Sequence, residues 1–323
     1  MRTIGEHNGV AVHEVTLTSH TGVRVAVMSF GAAVRDWQVP DRAGSARTVT
    51  LGFDDFAPYP QHSRSFGIVA GRIANRVRDG AFVLDGVRYQ LDRNKGAHHL
   101  HGGRDGLGVQ LWQMEPGGAS SVRLTHVSPD GSMGYPGTVS FTVDITLTGH
   151  ALTFDMIGTP DRATPIALAQ HSYYQLGGPL ADHTLYVAAD RITASDADKV
   201  TTGGFVDVAD AGLDFRTARR LGAAEIDNNF CLLTGTPAAV LEGADFVLTL
   251  TTDQPGLQVY SAYDFPEIPV PGLGGAHYGP YAALALEAQA YPNAVNTPHF
   301  PPVIATPEQP YRQVTTVEIA PRP

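Results

Sequence analysis

Residues 138–156 read TVSFTVDITLTGHALTFDM. Val139, Phe141, Val143, Ile145 and Leu147 alternate with Ser140, Thr142, Asp144, Thr146 and Thr148, and after Gly149-His150 the alternation resumes at Leu152, Phe154 and Met156. A period of two places one set of side chains on a buried face and the other in water, so the stretch predicts a long β-hairpin turning at Gly149-His150. The same logic applies outward along the chain. In AFVLDGVRYQL, Asp85-Gly86 stands between two short strand-like runs and supplies the two positive-φ residues that a two-residue hairpin needs. Further strands are readable at 10–18, 23–29, 184–193, 245–252, 256–263, 281–289 and 314–319. Helical periodicity is confined to 216–224, with a turn near 53–59, while 264–271 and 298–310 are proline-rich loops. No internal repeat and no linker-like tract divides the chain. The pattern predicts an all-β fold, a large antiparallel β-sandwich formed by residues 1–323 as a single domain.

Composition bounds the function classes. The chain has 323 residues, 43% hydrophobic and 17% charged, which is globular composition and enough for a large core. A net charge of −10 argues against nucleic acid as a partner, since such proteins carry a basic face. One cysteine, Cys231, can form neither an internal disulfide nor a thiolate metal cage. The opening MRTIGEHNGV has no apolar core of a leader, and no run reaches the ~18 apolar residues of a membrane span. A cytoplasmic protein, a monomer or homodimer with no membrane partner, is the expectation.

Several short stretches carry titratable groups in unusual company. HHLHGG at 98–103 packs three of the thirteen histidines into six positions, followed by two glycines that suit a tight bend or a close backbone approach. His99 and His101, with Asp105 beyond them, resemble half of a cupin-type metal motif, but the later block MGYPGTVSF supplies no further histidine. In YAALALEAQA, Ala283, Ala285, Glu287 and Gln289 share one strand face and Leu284, Leu286 and Ala288 the other. A carboxylate among small residues on an otherwise apolar strand is either paired or used, because burying it alone is costly. Asp227, in EIDNNFCL, is either a turn former or the second carboxylate of a glycosidase-like pair with Glu287. His171, in LAQHSYYQLGG, follows a strand and projects toward a cleft floored by Tyr173 or Tyr174; no nucleophile elbow surrounds Ser172. In GRIANRVRDG, three arginines fall within seven residues, and Asn75-Arg76 just before the Asp85-Gly86 hairpin is either part of a solvated turn or a source of fixed donors to a polyol.

Taken in order, GRIANRVRDGAFVLDGVRYQL, HHLHGG, MGYPG, HSYYQLGG, IDNNFCL and LEAQAYPNAVN resemble the galactose mutarotase, or aldose 1-epimerase, family, and the likeness runs from LGFDDFAPY at 51–59 to the C-terminal strand. The resemblance implies a supersandwich of antiparallel strands that binds one hexose, such as galactose or glucose, without a cofactor or a metal. It implies that His171 is the general acid and Glu287 the general base, and that Asn75, Arg76, His101, Asp227 and Gln289 hold the sugar. His98 and His99 fall on no functional position of the family. Where the family commonly has a histidine after the aspartate this chain has Asn228; where it has YFN this chain has Tyr173-Tyr174-Gln175; and YSAYDFP at 260–266 departs from the usual pocket wall. These departures bear on which sugar is preferred.

The chemistry so implied is ring opening and reclosure at C1, which needs one proton donor and one acceptor flanking a single carbon. A histidine serves as the acid at neutral pH when a nearby carboxylate holds its proton, and a partly desolvated glutamate serves as the base. No Gly-x-Gly-x-x-Gly unit between a strand and a helix suggests a nicotinamide. Two other readings remain open at this level: a non-catalytic sugar-binding β-sandwich, which would not need the acid–base pair, and a metal-dependent cupin-like enzyme.

Overall fold

In the computed structural model, which describes residues 1–63, 65–235 and 237–322, the hairpin forms as read. Strands Val139–Thr148 and Ala151–Pro160 pair antiparallel from Thr148↔Ala151 to Val139↔Pro160, and Gly149 closes the turn at φ 60°. Val139, Phe141, Val143, Ile145 and Leu147 are all buried, each contributing about 1.5–3 kcal/mol relative to exposure. Asp85 and Gly86 both take positive φ between Ala81–Leu84 and Val87–Gln90.

The hairpin lies within a nine-stranded antiparallel sheet. The C-terminal strand Tyr311–Pro321 is inserted between Ala151–Pro160 and Phe246–Thr252, so the end of the chain completes the layer. A six-stranded sheet (Tyr173–Tyr174, Leu284–Gln289, Gly256–Tyr260, Asp227–Leu232, Ala189–Ser195, Thr201–Asp207) and a five-stranded N-terminal sheet spanning Arg2–Thr48 share one hydrophobic cluster with the nine-stranded sheet. Phe141, Phe154, Trp37, Val259 and Leu286 belong to this cluster, which makes the fold an antiparallel sandwich. No helix among the described residues is long and apolar enough to cross a membrane.

Two expectations change. The run 184–193 is not one strand: Thr184–Val187 belongs to the nine-stranded sheet and Ala189–Ser195 to the six-stranded sheet. The helical pattern at 216–224 gives no helix. Arg219–Arg220 instead pairs with Thr184–Leu185 at a sheet edge, and the Arg219 guanidinium caps Phe215 at 4.2 Å and donates to the carbonyls of Gly212 and Asp214. Nine residues are too few to offset the cost of helix nucleation against these tertiary contacts. The one short helix near the expected turn at 53–59 is Tyr59–His62.

The six-stranded sheet positions the site through its two faces. Phe230, Leu257, Val259, Leu284, Leu286 and Ala288 point into the shared core. The alternate residues line up across the strands on the other face, in rows Asn229–Gln258–Glu287 and Asp227–Tyr260–Ala285–Tyr173. Ala285 and Tyr173 join a second cluster with Phe66, Phe265 and Tyr278, which supports this polar face from one side.

Candidate active site

Above that face is a cleft of about 330 Å³ lined by Asn75, Arg76, His101, His171, Asp227 and Glu287, together with Gln258, Tyr260, Tyr173 and the 264–266 segment. Its size falls near the lower end of the ~300–1,000 Å³ typical of small-molecule sites. Glu287 sits at the centre of the strand Leu284–Gln289 and is 2% exposed. His171 follows the short strand Ala169–Gln170, which pairs with Val69–Ala70; its amide donates to the Ile68 carbonyl and its own carbonyl accepts from Gly67. These backbone bonds aim the imidazole at the sheet, with Nε2 3.4 Å from Oε1 of Glu287.

The histidine-rich loop resolves into three different jobs. His99 donates from Nδ1 to the Asp92 carbonyl at 2.6 Å and accepts the Tyr135 hydroxyl at Nε2, also at 2.6 Å, so both nitrogens are engaged in holding the loop. His98 accepts the Asp79 amide at Nδ1 and faces Asp198 with Nε2 at 3.5 Å. His101 alone faces the cleft. It takes φ 50°, its amide donates to the Asn75 carbonyl, and its Nδ1 accepts the Asn75 amide at 3.2 Å. The neutral ring therefore carries its hydrogen on Nε2 and presents a donor. The following Gly102 is required by space: a Cβ there would lie 1.6 Å from the Gly71 carbonyl oxygen, at φ 87°.

In the same lining, Asp227 is held at both oxygens. Gln258 Nε2 donates to Oδ1 at 2.7 Å and Lys199 Nζ to Oδ2 at 2.9 Å, with Arg76 Nη2 4.0 Å from Oδ2. The three clustered arginines divide their work. Arg72 is buried on the carbonyls of Ser128, Pro129 and Pro136, Arg78 holds the carboxylate of Asp196, and Arg76 faces the cleft. Arg76 Nε, His171 Nδ1 and Glu287 Oε2 are buried with no hydrogen-bond partner among the described residues. Orphan buried polar atoms are costly, and three of them belong to residues that line this one cleft, which makes it the candidate site for a polar molecule.

Burial governs the charges. Desolvation pushes the Glu287 carboxyl up to about 8, reinforced by the Asp227 charge and opposed by Arg76. Desolvation also pulls His171 down to about 4 and holds His101 well below the usual imidazole range, with His171 and Arg76 adding to the effect. Desolvation therefore opposes both charges, raising the proton affinity of Glu287 and lowering that of His171, so burial works against the carboxylate–imidazolium pairing expected from the sequence and favours a single proton on the pair near neutral pH.

His101, His171 and Glu287 each offer a donor atom, all within 4.8 Å of one another, but the hydrogen on His101 Nε2 opposes metal ligation there. The cupin-like pairing of His99 with His101 is not formed, since both His99 nitrogens are occupied elsewhere.

Of the residues singled out in the sequence, Asn75, Arg76, His101, His171, Asp227 and Glu287 are brought together. Gln289 is not. It shares the face of Glu287 but lies beyond the cleft, fully buried, with its Nε2 3.4 Å from Asn229 Oδ1. Tyr173 faces the cleft, whereas Tyr174 lies in the core, and Asn228 sits on the face opposite Asp227. In the divergent 260–266 segment, Tyr260, Asp264, Phe265 and Pro266 do line the cleft. Sequence reading missed Gln258 and Lys199. Gln258 was detectable by the alternation that marked Glu287, since Leu257 and Val259 flank it; Lys199 sits in a turn, where no period operates.

The aldose 1-epimerase family model matches residues 13–318. The galactose mutarotase of Bos taurus is 36% identical over 309 residues, covering 91% of this chain and 90% of that protein. The aldose 1-epimerase of Escherichia coli (strain K12) is 29% identical, with 89% and 88% covered. Among solved structures, an aldose epimerase homologue from C. elegans superposes with a TM-score of 0.92 at 28% identity, covering 97% of this chain and all of that one. The galactose 1-epimerase from Lactobacillus acidophilus NCFM gives 0.88 at 25%, with 99% and 98% covered.

Proposed function

The chain belongs to the aldose 1-epimerase family, and on that premise we propose that it is a cofactor-independent isomerase interconverting the α and β anomers of a hexose such as galactose or glucose. The observation that supports this most directly is the His171–Glu287 pair, two buried proton-exchanging groups 3.4 Å apart on a cleft otherwise lined by hydrogen-bonding side chains. In this reading Glu287 removes the C1 hydroxyl proton while His171 delivers a proton to the ring oxygen. The C1–O bond of the ring breaks and an aldehyde forms. Rotation about C1–C2 presents the other face, and reclosure returns both protons with the two groups exchanging roles. Arg76, Asn75, His101 and Asp227 orient the hydroxyls and the ring oxygen.

The one-proton state of the pair suits this cycle, because the working arrangement, ionised Glu287 with protonated His171, contains the same single proton as the resting one. Placing that proton on His171 creates adjacent opposite charges, which Arg76 and Asp227 bracket and a bound sugar's hydroxyls solvate. The same reading takes the chain as one domain, a monomer or homodimer acting on free monosaccharide in the cytoplasm.

Polarimetry of freshly dissolved α-anomers of galactose, glucose, xylose, arabinose and fucose tests the proposal. Faster approach to the equilibrium rotation is expected for at least one hexose, and no acceleration with any of them would overturn it.

A further inference from the structure

We propose that Lys199 is a positioning residue for the sugar-binding carboxylate of Asp227, linking the 196–199 turn and the divergent 263–264 segment to the cleft; this rests on the function proposed above. All but two of the 22 basic residues are arginine, and Lys199 is one of the exceptions. Its ammonium lies 2.9 Å from Asp227 Oδ2, donates to the Tyr263 hydroxyl, and is 3.7 Å from Asp264 Oδ2. It also lies 4.8 Å from the centre of the Tyr263 ring. Three partners around one point suit the tetrahedral donors of an ammonium better than a planar guanidinium fork.

The turn that carries Lys199 is built to hold it. Lys199 takes φ 60°. Asp196 Oδ1 accepts the amides of Asp198 and Val200, each at 3.1 Å. Arg78 binds Asp196 Oδ2 at 2.6 Å and donates to the carbonyls of Val200 and Thr201. With Gln258 on Oδ1 and Lys199 on Oδ2, the carboxylate plane of Asp227 is fixed before a sugar arrives, which removes an ordering cost from binding.

Lys199 does not line the central cleft and touches no reacting atom in this reading. Its loss therefore weakens ground-state and transition-state binding alike and acts on KM rather than kcat. The test is steady-state mutarotation kinetics of K199M, K199R, D227N and the K199M/D227N double variant on the best hexose. K199M is expected to raise KM ~10-fold with kcat within ~2-fold, and K199R to recover part of the loss by keeping the charge. In the D227N background K199M should add less than ~2-fold, because the two groups act as one. A wild-type KM in K199M, an equal defect in K199R, or a full K199M effect on top of D227N each overturns the inference alone. An inactive unsubstituted chain overturns the functional reading and this inference with it.

Discussion

Replacing Glu287 by glutamine should make the protein more stable and nearly inactive, and the stability gain should have a particular pH dependence. Glu287 is 2% exposed and its carboxyl is held up at about 8, against an ordinary value of 4.5, chiefly by desolvation. A group whose folded pKa lies above its unfolded one favours the folded state fully below the unfolded value, and that contribution is lost as pH rises through the folded value. The wild type should therefore lose stability relative to E287Q by about 1.4 kcal/mol for each pH unit between 4.5 and about 8, reaching about 5 kcal/mol above pH 8. His171, pulled down to about 4 by burial, has the opposite sign, losing stability as pH falls from 6.5 toward 4. It is present in both proteins and largely cancels in the comparison. Any change in hydrogen bonding by the amide adds a constant offset and leaves the slope untouched. The assay is urea unfolding of both proteins at pH 5, 6, 7 and 8, with mutarotation measured on the same samples. A stability difference that does not vary with pH would refute the assignment of Glu287 as a desolvated, proton-holding group. A folded, sugar-binding E287Q with wild-type turnover would remove it as the base and favour a sugar-binding role for the cleft.

Three further outcomes follow from the same geometry. H171N and E287Q should each lower kcat by at least ~10²-fold, and the double variant should be little worse than the poorer single one, because a proton relay with either end removed is already broken; additive losses would argue for independent roles. In the free enzyme kcat/KM should be bell-shaped, falling below about pH 4 as the pair gains a second proton and above about pH 8 as it loses its only one. A profile flat from pH 5 to pH 10 would contradict this. R76A and H101A should each reduce kcat/KM by an amount equivalent to ~1.5–3 kcal/mol, as expected for hydrogen bonds involving charged groups and buried donors; wild-type kinetics in both would place the sugar elsewhere.

The chain by itself determined much of this protein. Period-two alternation is a local property, so the hairpin at 139–160, the turn at Asp85-Gly86 and the two faces of 283–289 could be read from neighbouring residues alone. Six ordered motifs sufficed for the family and for most of the cleft residues. Only the tertiary structure decided the rest. The residues from Asn75 to Glu287 meet because the six-stranded sheet, which carries Asp227, Gln258 and Glu287, lies against two short strand pairs that carry Arg76 with Leu100 and Gln170 next to His171; the register of the large sheet puts Gln258 beside Glu287 in the cleft and Gln289 beyond it, and only the fold brings Lys199 from its turn onto Asp227. The division of labour among His98, His99 and His101 depends on which amide, carbonyl or hydroxyl lies against each ring nitrogen. The opposite pulls on Glu287, raised, and His171, lowered, could not be read from the chain because desolvation is a sum over everything packed around a group, and no local pattern along the chain contains that sum.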